Sequence, residues 1–491
     1  MLFNSYEFLI FFPIVLILYF FIPNKYRYIL LLIASYIFYM GWNPTYALLI
    51  AFSTFATWLG GILFERTEKK KQVLFAVLGV NLSILFFFKY FNFLIDNVSY
   101  VTQALFSHEI ESKFDIILPV GISFYTFQAL GYTIDVYRGN VKAEKNFFRY
   151  ALFVSFFPQL VAGPIERTNN LLKQIQNVEN INLKNANRIR AGFVTMLYGY
   201  FLKMVVADRA AIVVNTIFEH YFLYGSIELV LGAILFGIQI YCDFNSYSLI
   251  AIGAAKVMGF ELMENFRAPY FAVSIKDFWR RWHISLSTWF RDYVYIPLGG
   301  NRCSLKRKNL NLMVTFLISG LWHGANWGFV LWGGLHGAYQ IIGEATKTTR
   351  DRINTLCGID EKSFGYRLGK VIITFNLVCF AWIFFRTKYV TDGINYVFYM
   401  FTRFNPWVLF DGSLYKLGLS VTSVHVLIVS LVVVCFVDLI REKRNETIDV
   451  FLVRQPFWFR ITVLCALFIF IAIYGVYGPS FSASEFIYFQ F

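Results

Sequence analysis

Charge is what this chain has least of. Only 15% of its 491 residues are Asp, Glu, Lys or Arg, against roughly 25% in soluble globular proteins. So small a share cannot cover a water-facing surface, and most of the exterior must meet something other than water. Acidic residues are the scarcer sign, 30 against 44 basic ones, which leaves a net charge of +14. Cysteine is sparse as well. Cys242, Cys303, Cys357, Cys379, Cys435 and Cys465 form no CxxC pair, which argues against a zinc site or a disulfide framework. They are expected to act as small buried hydrophobes. The motifs of soluble enzymes are missing: no GxSxG, HExxH, HxxxD, GxGxxG or phosphate-binding P-loop occurs. No basic residue precedes the apolar stretch 8–22 and no small-residue cleavage site follows it, so it reads as a first span and not as a cleaved leader.

What is present is apolar and aromatic. Hydrophobic residues make up 58% of the chain, with 57 Phe and 31 Tyr, and the mean hydropathy is +0.56. This suits lipid contact and aromatic belts at the headgroup level. A net charge of +14 could mean nucleic acid in a soluble protein. Here the basic residues fall in short loops between apolar runs, so no nucleic-acid partner is expected and the bilayer is the partner.

A membrane span needs about 20 mainly apolar residues. Candidates fall at 8–22, 28–40, 46–64, 73–95, 116–137, 147–163, 191–207, 228–253, 308–322, 326–343, 371–386, 424–440 and 461–478, some short enough to be re-entrant or tilted. The expected fold is all-α and polytopic, with about 11–13 membrane helices. Lys25 and Arg27 follow the first span; Arg66, Lys69, Lys70 and Lys71 follow the third; Arg138, Lys142, Lys145 and Arg149 follow the fifth. The 96–115 connection instead holds Asp96, Glu109, Glu111 and Asp115 against Lys113. The alternation places both termini outside and the basic loops, including the long 254–310 connection, in the cytoplasm. No soluble domain and no internal repeat is visible. The whole of 1–491 is expected to form one membrane domain, with N-terminal spans in 1–137, a reaction centre in 147–345 and C-terminal spans in 371–491.

With soluble motifs absent, the six histidines become the first candidates for chemistry. His323 sits in Ser319-Gly320-Leu321-Trp322-His323-Gly324-Ala325-Asn326-Trp327, inside an otherwise apolar stretch. An ionisable group at membrane depth is costly and marks a functional site by default, and an imidazole can take and return a proton near neutral pH. Gly320, Gly324 and Gly328 recur every fourth residue and would line one helix face, open to a close backbone or a narrow substrate. The same pattern also suits a histidine packed beside a small-residue seam.

His336 lies 13 positions on; along one continuous helix that is about 20 Å away and on another face. A packing or supporting role is expected for it, and no metal. His283 lies in the segment from Asp277 to Tyr293. There Trp282, Leu286, Trp289 and Tyr293 make an apolar stripe, with Arg280, Ser287 and Arg291 on another side. The segment suits an interfacial amphipathic helix that anchors in the headgroups. It equally suits a cytoplasmic rim on which Arg280, Arg281 or Arg291 meets the phosphates of an anionic donor. Asp243, beside Asn245, Ser246 and Ser248 within a span, reads first as part of a structural hydrogen-bond cluster. His108, His220 and His425 lack polar company and read as loop or packing residues. The stretch from Phe157 to Arg167, with Pro158, Gly163 and Pro164, is expected to form a re-entrant loop.

Three segments together carry a resemblance: Phe156 to Ile165, the Asp277–Tyr293 block continued by Ile296-Pro297-Leu298-Gly299-Gly300-Asn301-Arg302, and Leu321-Trp322-His323-Gly324. They resemble the membrane-bound O-acyltransferase family, most of all its branch that O-acetylates alginate, and the likeness runs over essentially the whole chain. It implies a ring of helices around a central funnel or tunnel. It implies an acyl group passed from a cytoplasmic thioester, with acetyl-CoA as donor, to a hydroxyl outside. That hydroxyl would belong to a polysaccharide or to an extracytoplasmic esterase-like partner protein. The same resemblance makes His323 essential and His283 a hallmark of the family. His323 is expected to be the catalytic general base, with a covalent acyl-histidine as the alternative, and His283 the second candidate; Trp322, Asn326, His336 and Asp243 are expected in support. No bound cofactor is implied. The location implied is the bacterial cell membrane. Two other readings stand beside this one: a D-alanyl transfer protein for teichoic acid, which would need a carrier-protein donor, and a transporter or flippase without chemistry.

Overall fold

Long apolar runs form the long helices, and these run through the glycine and asparagine they contain, as the helix Lys70–Phe106 does at Gly79 and Asn81. The computed structural model describes residues 1–107, 114, 118–161 and 163–477. Every regular element among them is helical, with no strand. His108, Glu109, Glu111, Lys113 and Asp115, and the C-terminal Phe489-Gln490-Phe491, lie outside the described residues. The chain divides into two units.

The first unit comprises Met1–Phe193 and Ile250–Met263. Its helices are α1 (Tyr6–Phe21), α2 (Arg27–Met40), α3 (Pro44–Arg66), α4 (Lys70–Phe106), α5 (Ile122–Tyr137), α6 (Phe147–Ser155), the single turns α7 (Phe157–Leu160) and α8 (Lys173–Gln176), and the start of α9 (Ala186–Phe201). Local chemistry sets their ends. Asn43 accepts from Thr45 N at 2.9 Å and Pro44 fills the first helical position of α3, where its missing N–H costs nothing. Side-chain hydrogen bonds tie the helices where no water is at hand. Ser53 donates to Asn81 of α4 at 2.5 Å, and the Tyr150 hydroxyl of α6 meets Thr57 of α3 at 2.8 Å. Ser35 of α2 accepts from Phe157 N at 3.0 Å. Gln159 in α7 is buried, as are Val161, Ile165 and Glu166 in the irregular chain that follows. The Glu166 carboxylate accepts from Met263 N and from Asn170 Nδ2, so the turning backbone is covered by polar partners, as irregular chain in a membrane protein must be.

The second unit comprises Val194–Leu249 and the chain from Glu264 onward. After a π-helical turn at Leu202–Ala207 come α10 (Asp208–Glu219), the 33-residue α11 (Ser226–Met258, in this unit up to Leu249), and the short α12 (Ile275–Arg281) and α13 (Ile284–Phe290). Then follow α14 (Leu305–His323), α15 (Trp327–Ala345), α16 (Lys347–Leu356), α17 (Phe364–Arg386), α18 (Val390–Thr402), α19 (Val421–Arg444), α20 (Ile448–Val453) and α21 (Phe457–Tyr474). Between α18 and α19 the chain makes two short 3-10 turns, Pro406–Leu409 and Ser413–Lys416.

Six helices among the described residues are long and apolar enough to cross a membrane unaided: α3, α4, α11, α17, α19 and α21; α1 is apolar but shorter. Other expected spans fold as shorter or interrupted pieces. The 147–163 run breaks at Phe156 into α6 and α7, and α14 opens on Lys306, Arg307 and Lys308. Lipid-type surface is plain on α21, where Phe468, Ile469 and Ile473 are exposed. The cysteines are all free. Cys242 and Cys379 are the small buried hydrophobes expected, but Cys357, Cys435 and Cys465 are exposed. The last two stand on the apolar helices α19 and α21, whose outward faces bear such side chains at no cost in lipid.

Candidate active site

Sequence spacing suggested one helix face carrying Gly320, Gly324 and Gly328. The structure corrects this. The α14 helix ends on His323, Gly324 is extended (φ −170°, ψ 156°), and α15 begins after Asn326. Asn326 causes the restart. Its Oδ1 caps α15 by accepting from Gly328 N at 2.7 Å, and its amide donates to Lys388 O. The chain then folds back, so that the two helices pack antiparallel through small residues. A Cβ on Gly320 would sit 2.2 Å from Phe329 O, and one on Gly333 2.3 Å from Phe316 O. We predict that Gly333→Ala forces the helices apart and destabilises the protein by about 1–3 kcal/mol. Gly343→Ala on the same helix, with nothing within 4 Å, should leave the thermal unfolding midpoint in detergent unchanged.

The fold-back brings His323 and His336 to the same tryptophan. Trp332 stands 5.0 Å, centroid to centroid, from His323 and 5.1 Å from His336. The separation expected for one continuous helix therefore does not apply. His323 is further walled by Trp322 at 5.0 Å and Phe385 at 5.3 Å. Trp322 in turn lies 6.1 Å from His283, whose other face meets Phe244 at 4.6 Å. His283, His323 and His336 thus belong to one aromatic cluster, linked through Trp322 and Trp332.

The three imidazoles differ in access. His283 and His336 are each 0% exposed, whereas His323 keeps 5%. His336 Nδ1 accepts from Trp279 Nε1 at 3.2 Å, which places its proton on Nε2. Burial pushes the His283 imidazole down to about 3, so it stays neutral near physiological pH.

The expected amphipathic helix around His283 is not formed. His283 takes a left-handed backbone conformation (φ 42°) that separates α12 from α13. Asn265 fixes this break: its carbonyl accepts from Ile284 N at 3.0 Å and its Oδ1 from Ser285 Oγ at 2.6 Å. Trp282, Leu286 and Trp289 are buried, so they pack inside the unit and do not anchor in headgroups.

Of the arginines expected to meet a donor, two already have carboxylates. Arg281 pairs with Asp277 at 3.1 Å and with Glu442, and Arg291 pairs with Asp292 at 2.7 Å. Arg280 is exposed and has no such pair among the described residues.

Asp243 belongs to an ion cluster. It pairs with Lys203 at 2.7 Å, and Lys203 also pairs with Asp208 at 3.0 Å, all three side chains being buried. Sequence reading missed Lys203 and Asp208. The available signal was two charged residues in the run 200–208, otherwise apolar apart from Tyr200. The π-helical turn Leu202–Ala207 puts both on the side of Asp243, which spacing on a regular helix does not foretell.

Comparison with known proteins agrees with this architecture. The sequence profile of the membrane-bound O-acyltransferase family matches residues 142–357. The probable alginate O-acetylase AlgI of Pseudomonas putida is 37% identical over 453 residues, covering 91% of this chain and 89% of that protein. The peptidoglycan O-acetyltransferase of Helicobacter pylori is 34% identical over 396 residues, 74% of this chain and 72% of that protein. The teichoic acid D-alanyltransferase of Bacillus subtilis is 27% identical over 298 residues, 56% of this chain and 70% of that protein. Likeness of this extent, joined to six apolar helices of spanning length, places the chain in the membrane-bound O-acyltransferase family, as a multi-pass membrane O-acyltransferase.

Proposed function

We propose that this enzyme moves an acetyl group from a cytoplasmic thioester, acetyl-CoA, to a hydroxyl of an extracytoplasmic polysaccharide, with His323 as general base. The observation that carries the assignment is the difference in access: of three clustered imidazoles, only His323 keeps exposure, at the broken end of α14. The acceptor hydroxyl gives its proton to His323 as its oxygen attacks the thioester carbonyl. The imidazolium so formed sits at a helix C-terminus, where the carbonyl partial charges favour a cation. It then returns the proton to the departing thiolate, and ester and free thiol result. Trp322, Trp332 and Phe385 wall the imidazole and keep bulk water from competing with the acceptor.

In this reading Trp279 and His336 hold Trp332 in place, while His283 wedges Trp322 through packing and never cycles a proton. Arg280 is the arginine left to meet donor phosphates. The acceptor is either the polymer itself or a serine on an extracytoplasmic esterase-like partner. The charge pattern supports a bacterial plasma membrane location with basic loops in the cytoplasm.

Acetyl is favoured over D-alanyl because the O-acetylating relatives align with 74–91% of this chain at 34–37% identity. The D-alanyltransferase aligns with only 56% of this chain. Membranes supplied with radiolabelled acetyl-CoA test the reading. Alkali-labile label on envelope polymer is expected. Label incorporated only from a D-alanyl carrier protein, or sugar moved with no ester formed, overturns it.

A further inference from the structure

The first unit holds a cluster of cationic donors that the acyl-transfer reading does not use. Tyr19 stands in the last turn of α1, Arg27 opens α2 and Arg188 lies in the first turn of α9. Tyr19 is 0% exposed and Arg27 6%; Arg188 is half-buried. The Arg27 guanidinium lies over the Tyr19 ring, 5.5 Å from its centroid. Both guanidiniums are close enough to act on the Tyr19 hydroxyl electrostatically. Arg27 Nη1 donates to Ile181 O at 3.2 Å. Gly259, at φ +97°, backs Arg188 so closely that a Cβ there would sit 3.3 Å from its Cζ.

The remaining polar atoms are the informative ones. The Tyr19 hydroxyl, Arg27 Nε, and Arg188 Nε and Nη2 are buried and find no hydrogen-bond partner among the described residues. No carboxylate there comes within ion-pair distance of either guanidinium. Glu261, exposed, acts on Arg188 only from farther off. Neighbouring Arg149, by contrast, has its carboxylate, Glu179 at 3.0 Å. Buried guanidinium donors without an acceptor are costly. Two permanent cations and a phenol around one spot suit an anion rich in acceptor oxygens. Lys25 adds charge in the same basic turn between α1 and α2, on the membrane face that charge asymmetry assigns to the cytoplasm, where anionic headgroups gather.

We propose that Tyr19, Arg27 and Arg188 form a phosphate-binding site, taking either the phosphodiester of an anionic phospholipid or a soluble phosphate. The site is independent of the chemistry assigned to His323. The test uses the full-length protein with Arg27→Gln, Arg188→Gln and Tyr19→Phe variants, the last keeping the ring and removing only the hydroxyl. In one arm, proteins extracted from bilayers of mixed phosphatidylglycerol and phosphatidylcholine are washed, and retained lipid is measured by native mass spectrometry. In the other, lipid-depleted protein is titrated with inorganic phosphate while the unfolding midpoint is followed.

Retention of phosphatidylglycerol that falls roughly tenfold or more in the arginine variants, with no phosphate response, identifies the lipid source. A midpoint that rises with phosphate in wild type but not in the variants identifies the soluble source. A smaller loss of the same kind in Tyr19→Phe supports either. If wild type and all folded variants retain the same lipid and respond alike to phosphate, the proposal is wrong.

Discussion

His323→Ala should lower acetyl transfer by about 10²–10⁴-fold, the usual loss when a general base is removed, while membrane levels stay near wild type. The imidazole stands at the end of α14, with its walls supplied by Trp322, Trp332 and Phe385, so its removal takes away the base and leaves the helix hairpin joined through Gly320 and Gly333. The sharper test is the comparison with its neighbours. His336→Gln breaks the bond from Trp279 Nε1 and should cost less activity, with the pH–rate profile unmoved. His283→Gln disturbs packing against Phe244 and Trp322 and should act mainly through protein level. Steady-state rates divided by protein quantified in the same membranes separate these outcomes. Equal loss per molecule in all three variants would count against a special role for His323.

Lys203→Met should strongly destabilise the second unit. Lys203 is the shared cation of two buried carboxylates, 2.7 Å from Asp243 and 3.0 Å from Asp208. Taking it away leaves two negative charges buried beside each other, and breaking a buried pair in this way costs about 3–5 kcal/mol. Asp243→Asn should cost less, since one cation and one anion then remain. Thermal unfolding in detergent should rank the stabilities wild type, Asp243→Asn, Lys203→Met. If instead Asp243→Asn keeps stability but abolishes turnover, Asp243 acts on the chemistry and this structural account of the cluster fails.

Much of this architecture was readable from residue order. Apolar runs located the helices because a lipid-facing helix must be apolar along its length, and α3, α11, α17, α19 and α21 fall where those runs lie. His323 is conspicuous in the sequence because an ionisable group in an apolar run is costly, although its glycine neighbours also suit simple packing. What spacing could not give was where helices stop. One asparagine cap at Asn326 turns a would-be glycine stripe into a hairpin and brings His336 to the tryptophan that His323 also touches. One left-handed residue, His283, breaks a would-be surface helix and buries its tryptophans. The partner of Asp243 was hidden for a related reason: the π-helical turn at Leu202–Ala207 shifts Lys203 and Asp208 from where a regular helix would put them. Pairings between segments far apart in sequence, such as Arg281 with Glu442, depend on tertiary geometry that no local pattern encodes.

In the proposed mechanism one imidazole in the membrane joins a thioester on one side to an alcohol on the other. Sealed inside-out vesicles measure this most directly, with labelled acetyl-CoA added outside and the acceptor polysaccharide, with any partner protein, enclosed. Ester should form on the enclosed polymer with wild-type protein and fall by at least about a hundredfold with His323→Ala. Ester formed only on polymer that shares the donor's side, or transfer indifferent to His323, would contradict that mechanism.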